Sequence, residues 1–122
     1  MQHTNSILLT VKKMVGGGFD PEQDDFDIDI ITHINYVFSI LNDLGVGPEE
    51  GFEITDSSTE WSDYEPGNKV ILSKVKSYMY AKVRLLFDPP TNASLLDNLT
   101  KLVSEFEWRL EVDASESNRE ES

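Results

Sequence analysis

The sequence predicts a mainly α protein, a small bundle of about four helices at about residues 6–15, 24–44, 67–87 and 92–111, with a strand-like insert or hairpin at 49–65 and a disordered acidic C-terminal tail. Three observations predict it. Apolar residues recur at helical spacing in four separate stretches. Glycine or proline clusters separate those stretches, at Gly16-Gly17-Gly18, Gly45-Val46-Gly47-Pro48, Pro66-Gly67 and Asp88-Pro89-Pro90. After Val112, finally, no apolar group larger than alanine remains. A chain of 122 residues ordinarily makes one domain, here expected over residues 1–112, with residues 113–122 as a flexible tail.

In the first helix Ile7, Leu8, Val11 and Met14 share one side. The triple glycine ends it, supplying positive φ or a hinge. A phosphate loop is not expected there, because no strand pattern precedes the glycines and no Gly-Lys-Ser/Thr follows. In the second helix the stripe is Ile30, Ile31, Ile34, Val37, Phe38, Leu41 and Leu44, and Asp24, Asp25 and Asp27 sit at the amino end, where the helix dipole favours acids. Between Glu49 and Glu65, Gly51-Phe52-Glu53-Ile54-Thr55 alternates apolar and polar residues, and Ser58-Thr59-Glu60-Trp61 offers a partner strand across a turn at Asp56-Ser57. An irregular projecting loop fits the same residues. Either way the segment needs support from the helices or from a partner.

The third helix opens at Pro66-Gly67, with Leu72, Val75, Met79, Val83 and Leu86 on its core side, and the two prolines at 89 and 90 must break it. The fourth enters through Thr91 or through Ser94-Leu95-Leu96-Asp97, a capping box in outline, and its stripe is Leu95, Leu99, Leu102, Phe106 and Leu110. So short a connection makes the last two helices antiparallel neighbours.

Ten Lys and Arg against 23 Asp and Glu leave a net charge of −13, and its distribution says more than its total. Residues 1–18 carry +2, residues 19–65 carry −14 without a single Lys or Arg, residues 66–103 carry +4, and residues 104–122 carry −5. Opposite signs in one subunit imply contact between them, within the fold or with a neighbouring copy. Such a balance argues against gripping nucleic acid by its phosphates, which takes a basic footprint. The absence of cysteine excludes disulfides, a thiol nucleophile and cysteine-based metal sites. No apolar stretch is long enough to span a membrane, and Met1-Gln2-His3-Thr4-Asn5 lacks the basic start of a signal peptide.

A search for chemistry returns little. Asp25, Asp27 and Asp29 alternate as calcium ligands do, but the sixth position of such a loop is Ile30 instead of glycine and the twelfth is Tyr36 instead of glutamate. No metal or cofactor is therefore expected. His33 reads as a boundary residue of a helix, no serine sits in a nucleophile elbow, and nothing selects a pair among 23 acids for hydrolytic work. Trp61 is expected against the helical body or a partner, and Trp108 in core or interface.

Several strings taken in order resemble a known family. These are Asp27-Ile28-Asp29-Ile30-Ile31-Thr32-His33-Ile34-Asn35 running on to Gly45-Val46-Gly47-Pro48, then Gly51-Phe52-Glu53-Ile54-Thr55-Asp56 with Thr59-Glu60-Trp61-Ser62-Asp63, then Val75 to Pro90, then Glu105-Phe106-Glu107-Trp108-Arg109-Leu110. Over residues 6–112 the chain resembles the head-to-tail connector, or head-completion adaptor, proteins of long-tailed bacteriophages. The resemblance implies a structural virion protein of the neck, made in the host cytoplasm, with no enzymatic activity. Its implied partners are copies of itself in a ring, usually of twelve, the portal above and a stopper or tail-completion protein below, with DNA passing through the ring without specific binding.

Placed on that scheme, Lys74, Lys76, Lys82 and Arg84 facing Asp24, Asp25 and Asp27 are candidates for the subunit interface, with Trp61 and Trp108 as aromatic anchors. Asp113, Glu116, Arg119, Glu120 and Glu121 are candidates for docking to the portal. Phe52, Ile54, Trp61 and Tyr64 are candidates for contact with the stopper or tail. An alternative from another class is an acidic DNA mimic that inhibits a nucleic-acid enzyme, against which the basic stretch at 66–103 speaks.

Overall fold

The computed structural model describes residues 5–15, 24–64 and 69–121, with side chains described as far as Glu116. The expected breaks at Gly16-Gly17-Gly18 and Pro66-Gly67 lie outside the described residues, as do the side chains of Arg119, Glu120 and Glu121. Four helices follow one another, α1 (Ile7–Val15), α2 (Asp27–Asp43), α3 (Lys69–Phe87) and α4 (Ala93–Glu121). Helix α3 packs against all three others, so the core forms along it.

Local chemistry sets the helix ends. Ser6 caps α1, its Oγ accepting from the Leu9 N–H at 3.2 Å. At the end of α2, Gly45 takes φ +90°, its N–H donates to Asn42 O, and the Val46 N–H donates back to Leu41 O at 2.8 Å. That is the Schellman arrangement, and Val46 is buried as its accompanying apolar contact. Helix α4 is capped by Asn92, whose Oδ1 accepts from the Leu95 N–H at 3.1 Å, and not by Thr91 or Ser94 as the sequence suggested.

The stripes hold with telling exceptions. Ile7, Leu8 and Val11 are buried, but Met14 is exposed and Lys12 is buried beside them. Val75, Met79 and Val83 are buried together with Tyr78, while Leu86 is exposed. In α4 only the second half of the stripe is covered, by way of Val103 and Leu110, and Leu95 and Leu102 are exposed.

Two expectations fail. No β-strand or hairpin occurs among the described residues; the insert is an irregular loop ending in a 3-10 helix at Trp61–Asp63. Its only ladder-like feature is an isolated antiparallel bridge between Ser6 and Glu60. The reason lies in where the backbone finds partners. The side chain of Asn35 on α2 clamps Ile54, its Oδ1 accepting from the Ile54 N–H at 2.8 Å and its Nδ2 donating to the Ile54 carbonyl at 3.0 Å. Thr59 and Trp61 pair instead with Ile7 and Asn5 at the start of α1. With these bonds made elsewhere, no second strand is needed. The 3-10 turn then sets Trp61 and Tyr64, three residues apart, into one aromatic cluster with Phe38 and Phe52, with ring centroids 4.9 to 6.4 Å apart.

The disordered tail is the second failure, since α4 continues as helix through Glu121. Asp113 pairs with Lys74 of α3 at 2.6 Å, and Ala114 is buried against Gly45. Polar sequence after Val112 does not matter there, because an ion pair and one small residue tie the turn to the body.

One glycine is constrained twice over. Gly47 has φ +93°, and a Cβ placed on it would lie 2.7 Å from the Tyr64 hydroxyl oxygen. Gly47→Ala is therefore expected to lose about 2–4 kcal/mol of stability in urea denaturation, combining a left-handed backbone with overpacking. Tyr64→Phe by itself is expected to be near neutral, because the buried Tyr64 hydroxyl has no hydrogen-bond partner among the described residues. The double variant should recover only a fraction of the steric loss, because the ring carbons Cε1 and Cζ of residue 64 still lie 2.9 and 3.0 Å from the added Cβ.

Candidate functional site

The charged residues are sorted by the fold into those engaged within the subunit and those left on its surface. All four cations singled out on α3 are only partly exposed, and each has an internal contact. Lys74 pairs with Asp113, Lys82 lies 3.8 Å from Glu107, and Lys76 sits 5.7 Å from the centroid of the Trp61 ring as a cation–π contact. Arg84 donates through Nε to the Asp88 carbonyl at 3.0 Å, closing the carboxyl end of α3. The Tyr78 hydroxyl donates to Glu107 at 2.7 Å, and burial first, then this acceptor, pushes its pKa well up. Two of the four cations on the basic helix, Lys74 and Lys82, are thus met by acids of α4 from its own chain.

The acidic stretch is different. Only Asp27 has a cation there, Lys12 of α1 at 2.7 Å, and this ammonium is 3% exposed. Asp24, Asp25, Asp29, Asp43, Glu49, Glu50 and Glu53 are exposed, with no Lys or Arg in ion-pair range among the described residues. Neutralising the basic helix internally leaves this acidic surface uncompensated.

The aromatic candidates divide too. Trp61 is 1% exposed, its indole N–H donating to the Thr10 hydroxyl at 2.9 Å, and Ile54 and Tyr64 are buried beside it. Phe52 is half-buried in the same cluster. These four residues are contacts of the subunit with itself. Trp108, in contrast, is exposed on α4, as is Glu116.

Two surfaces escape sequence reasoning. On α2, Ile28, Thr32 and Tyr36 form an exposed line, off the stripe that marks the core. Between α3 and α4 a groove of about 290 Å³ is lined by Arg84, Pro90, Leu95, Asn98, Leu99 and Leu102. Periodicity had assigned its leucines to the core; only packing could show that Leu95 and Leu102 stay exposed and Leu99 half-buried.

No catalytic arrangement competes with these surfaces. Among the described residues no three His, Asp or Glu side chains converge as metal ligands would, and no helix is long and apolar enough to cross a membrane. A hollow of about 320 Å³ between α2 and the loop is lined by Asn35, Phe38, Ser39, Asn42 and residues 50–53. The Asn35 amide there is already occupied by Ile54.

Comparison with known proteins returns one family. The model for phage connector proteins matches residues 7–117, which includes all of α1, α2 and α3 and most of α4. No curated protein and no solved structure is significantly similar to the chain.

Proposed function

The chain belongs to the phage connector protein family, and on that basis we propose that copies of it close into a ring between the portal and the stopper or tail, through which packaged DNA is retained and later passes. Its part in the virion is structural and not catalytic. The family match over residues 7–117 carries this reading.

The electrostatics support it. With Lys74 and Lys82 of α3 held by α4, and the acids between Asp24 and Glu53 other than Asp27 without an ion-pair partner among the described residues, the free surface is predominantly negative. A channel lined by such side chains repels the phosphate backbone and lets DNA slide without holding it. The carboxyl-terminal part of α4, where Ser115 and Glu116 are exposed, is our choice for the contact with the portal. A DNA mimic is disfavoured, since the family match names a connector.

Electron-microscopic imaging of the full chain mixed with its portal tests the assignment. A closed ring at one end of the portal is the expected result, with its copy number read directly; the absence of any ring there would overturn it. Assembled rings should also bind duplex DNA weakly, with little dependence on salt. Tight binding that falls steeply with salt would oppose the repulsive channel.

A further inference from the structure

We propose that the joint between neighbouring copies is made by the exposed α2 line of one subunit, Ile28, Thr32 and Tyr36, seated in the α3–α4 groove of the next, with Asp25 and Asp29 meeting Arg84 and Asn98. The inference rests on the ring reading above and specifies which faces close it.

Closure by a heterologous contact needs two different, mutually complementary patches on one subunit. These two belong to different elements, and neither is covered within the fold. Ile28 is 80% exposed and Leu95 57%, so more than half of each side chain is left uncovered. Their lengths agree. Ile28, Thr32 and Tyr36 occupy positions i, i+4 and i+8, while Leu95, Leu99 and Leu102 occupy i, i+4 and i+7, so each row spans about two turns, roughly 10–12 Å. One helix row can then lie in the trough between two helices, as ridges pack into grooves.

Their chemistry is also complementary. The Thr32 hydroxyl donates to the Ile28 carbonyl at 2.8 Å, so its hydrogen-bonding needs are met by its own helix and the centre of the α2 line can be dried at small cost. What remains polar beside it is acidic, Asp25 and Asp29, which can only accept. The groove supplies donors. Only the Nε of Arg84 is engaged, leaving the ends of its guanidinium for carboxylates, and the Asn98 amide has no partner among the described residues. Lys74 and Lys82 are poor alternatives, since α4 of their own chain already holds them.

The test uses two exposed substitutions in the full chain, Ile28→Lys, which sets a cation against Arg84, and Leu95→Asp, which sets an acid against Asp25 and Asp29. Each variant by itself should self-associate at least tenfold more weakly than the unaltered protein in sedimentation and cross-linking, with unchanged helical circular dichroism. Mixed in equal amounts they should pair through the one joint left intact, α2 of the Leu95→Asp variant in the groove of the Ile28→Lys variant, giving cross-linked dimers of unlike subunits. Variants that assemble alone as the unaltered protein does, or a mixture that stays monomeric while the unaltered protein assembles, would overturn the assignment of faces. An unaltered protein that remains monomeric both free and on isolated portal would overturn the ring itself and this joint with it.

Discussion

Trp61→Ala is expected to lower the stability of the subunit by about 3–5 kcal/mol, the range for removing a large aromatic from a packed core. The side chain is 1% exposed and joins three parts of the fold. Its ring stands 6.3 Å from Phe38 of α2, its indole N–H reaches Thr10 of α1, and Lys76 of α3 lies over its face. Its backbone N–H also donates to Asn5 at 3.0 Å, so the loop is fastened to the start of α1 at this residue. Since small domains are stable by about 5–15 kcal/mol in total, the variant should be close to unfolding. Urea denaturation followed by circular dichroism measures the loss. Trp61→Phe, which keeps a ring and gives up the bond to Thr10, should lose clearly less; equal losses would mean that the hydrogen bond, and not the packing, carries the effect.

The second large effect is expected at the ion pair between Lys12 and Asp27. Replacing Asp27 with alanine takes away the carboxylate 2.7 Å from an ammonium that is almost wholly buried, and breaking such a pair typically costs about 3–5 kcal/mol. Asp27 is itself partly exposed, so the lower end of that range applies. The reciprocal change behaves differently. Lys12→Met leaves an apolar chain of similar length in the same space and a carboxylate that is buried at Oδ1 but partly exposed as a side chain, still in the first turn of α2, where the dipole favours it. Its expected effect is smaller than that of Asp27→Ala, about 1–2 kcal/mol, for the one buried oxygen left without a partner. The asymmetry between Asp27→Ala and Lys12→Met, measured under one set of denaturation conditions, is the diagnostic result, and equal destabilisation by both would show that the pair acts as a unit.

These two sites also mark where sequence reasoning stops. Helical spacing put Met14 on the core side of α1 and did not single out Lys12, yet the fold exposes Met14 and buries Lys12. What decides the matter is Asp27, fifteen positions away in sequence and near in space only once α1 and α2 pack. Asn35 presents the same difficulty. Its side chain stands in for a strand by bonding both polar groups of the Ile54 backbone, and no local pattern reveals that a helix will supply the partner. The apparent alternation from Gly51 to Thr55 was real, but alternation shows only that every second side chain is to be buried, not that a strand lies alongside.

What the sequence determined by itself was therefore local or summed over the chain. It set four helices, the Gly45 stop, the break at Pro89-Pro90 and the unequal distribution of charge, because propensity, capping and composition depend on near neighbours or on totals. Tertiary packing alone decided which charges remain free, where α4 ends and which leucines are covered. Each of those depends on groups far apart in sequence meeting at a distance of a few ångströms. Lys74 and Lys82 of the +4 segment could equally have faced a neighbouring copy; they face α4 of their own chain because Asp113 and Glu107 come within reach when α3 and α4 lie side by side.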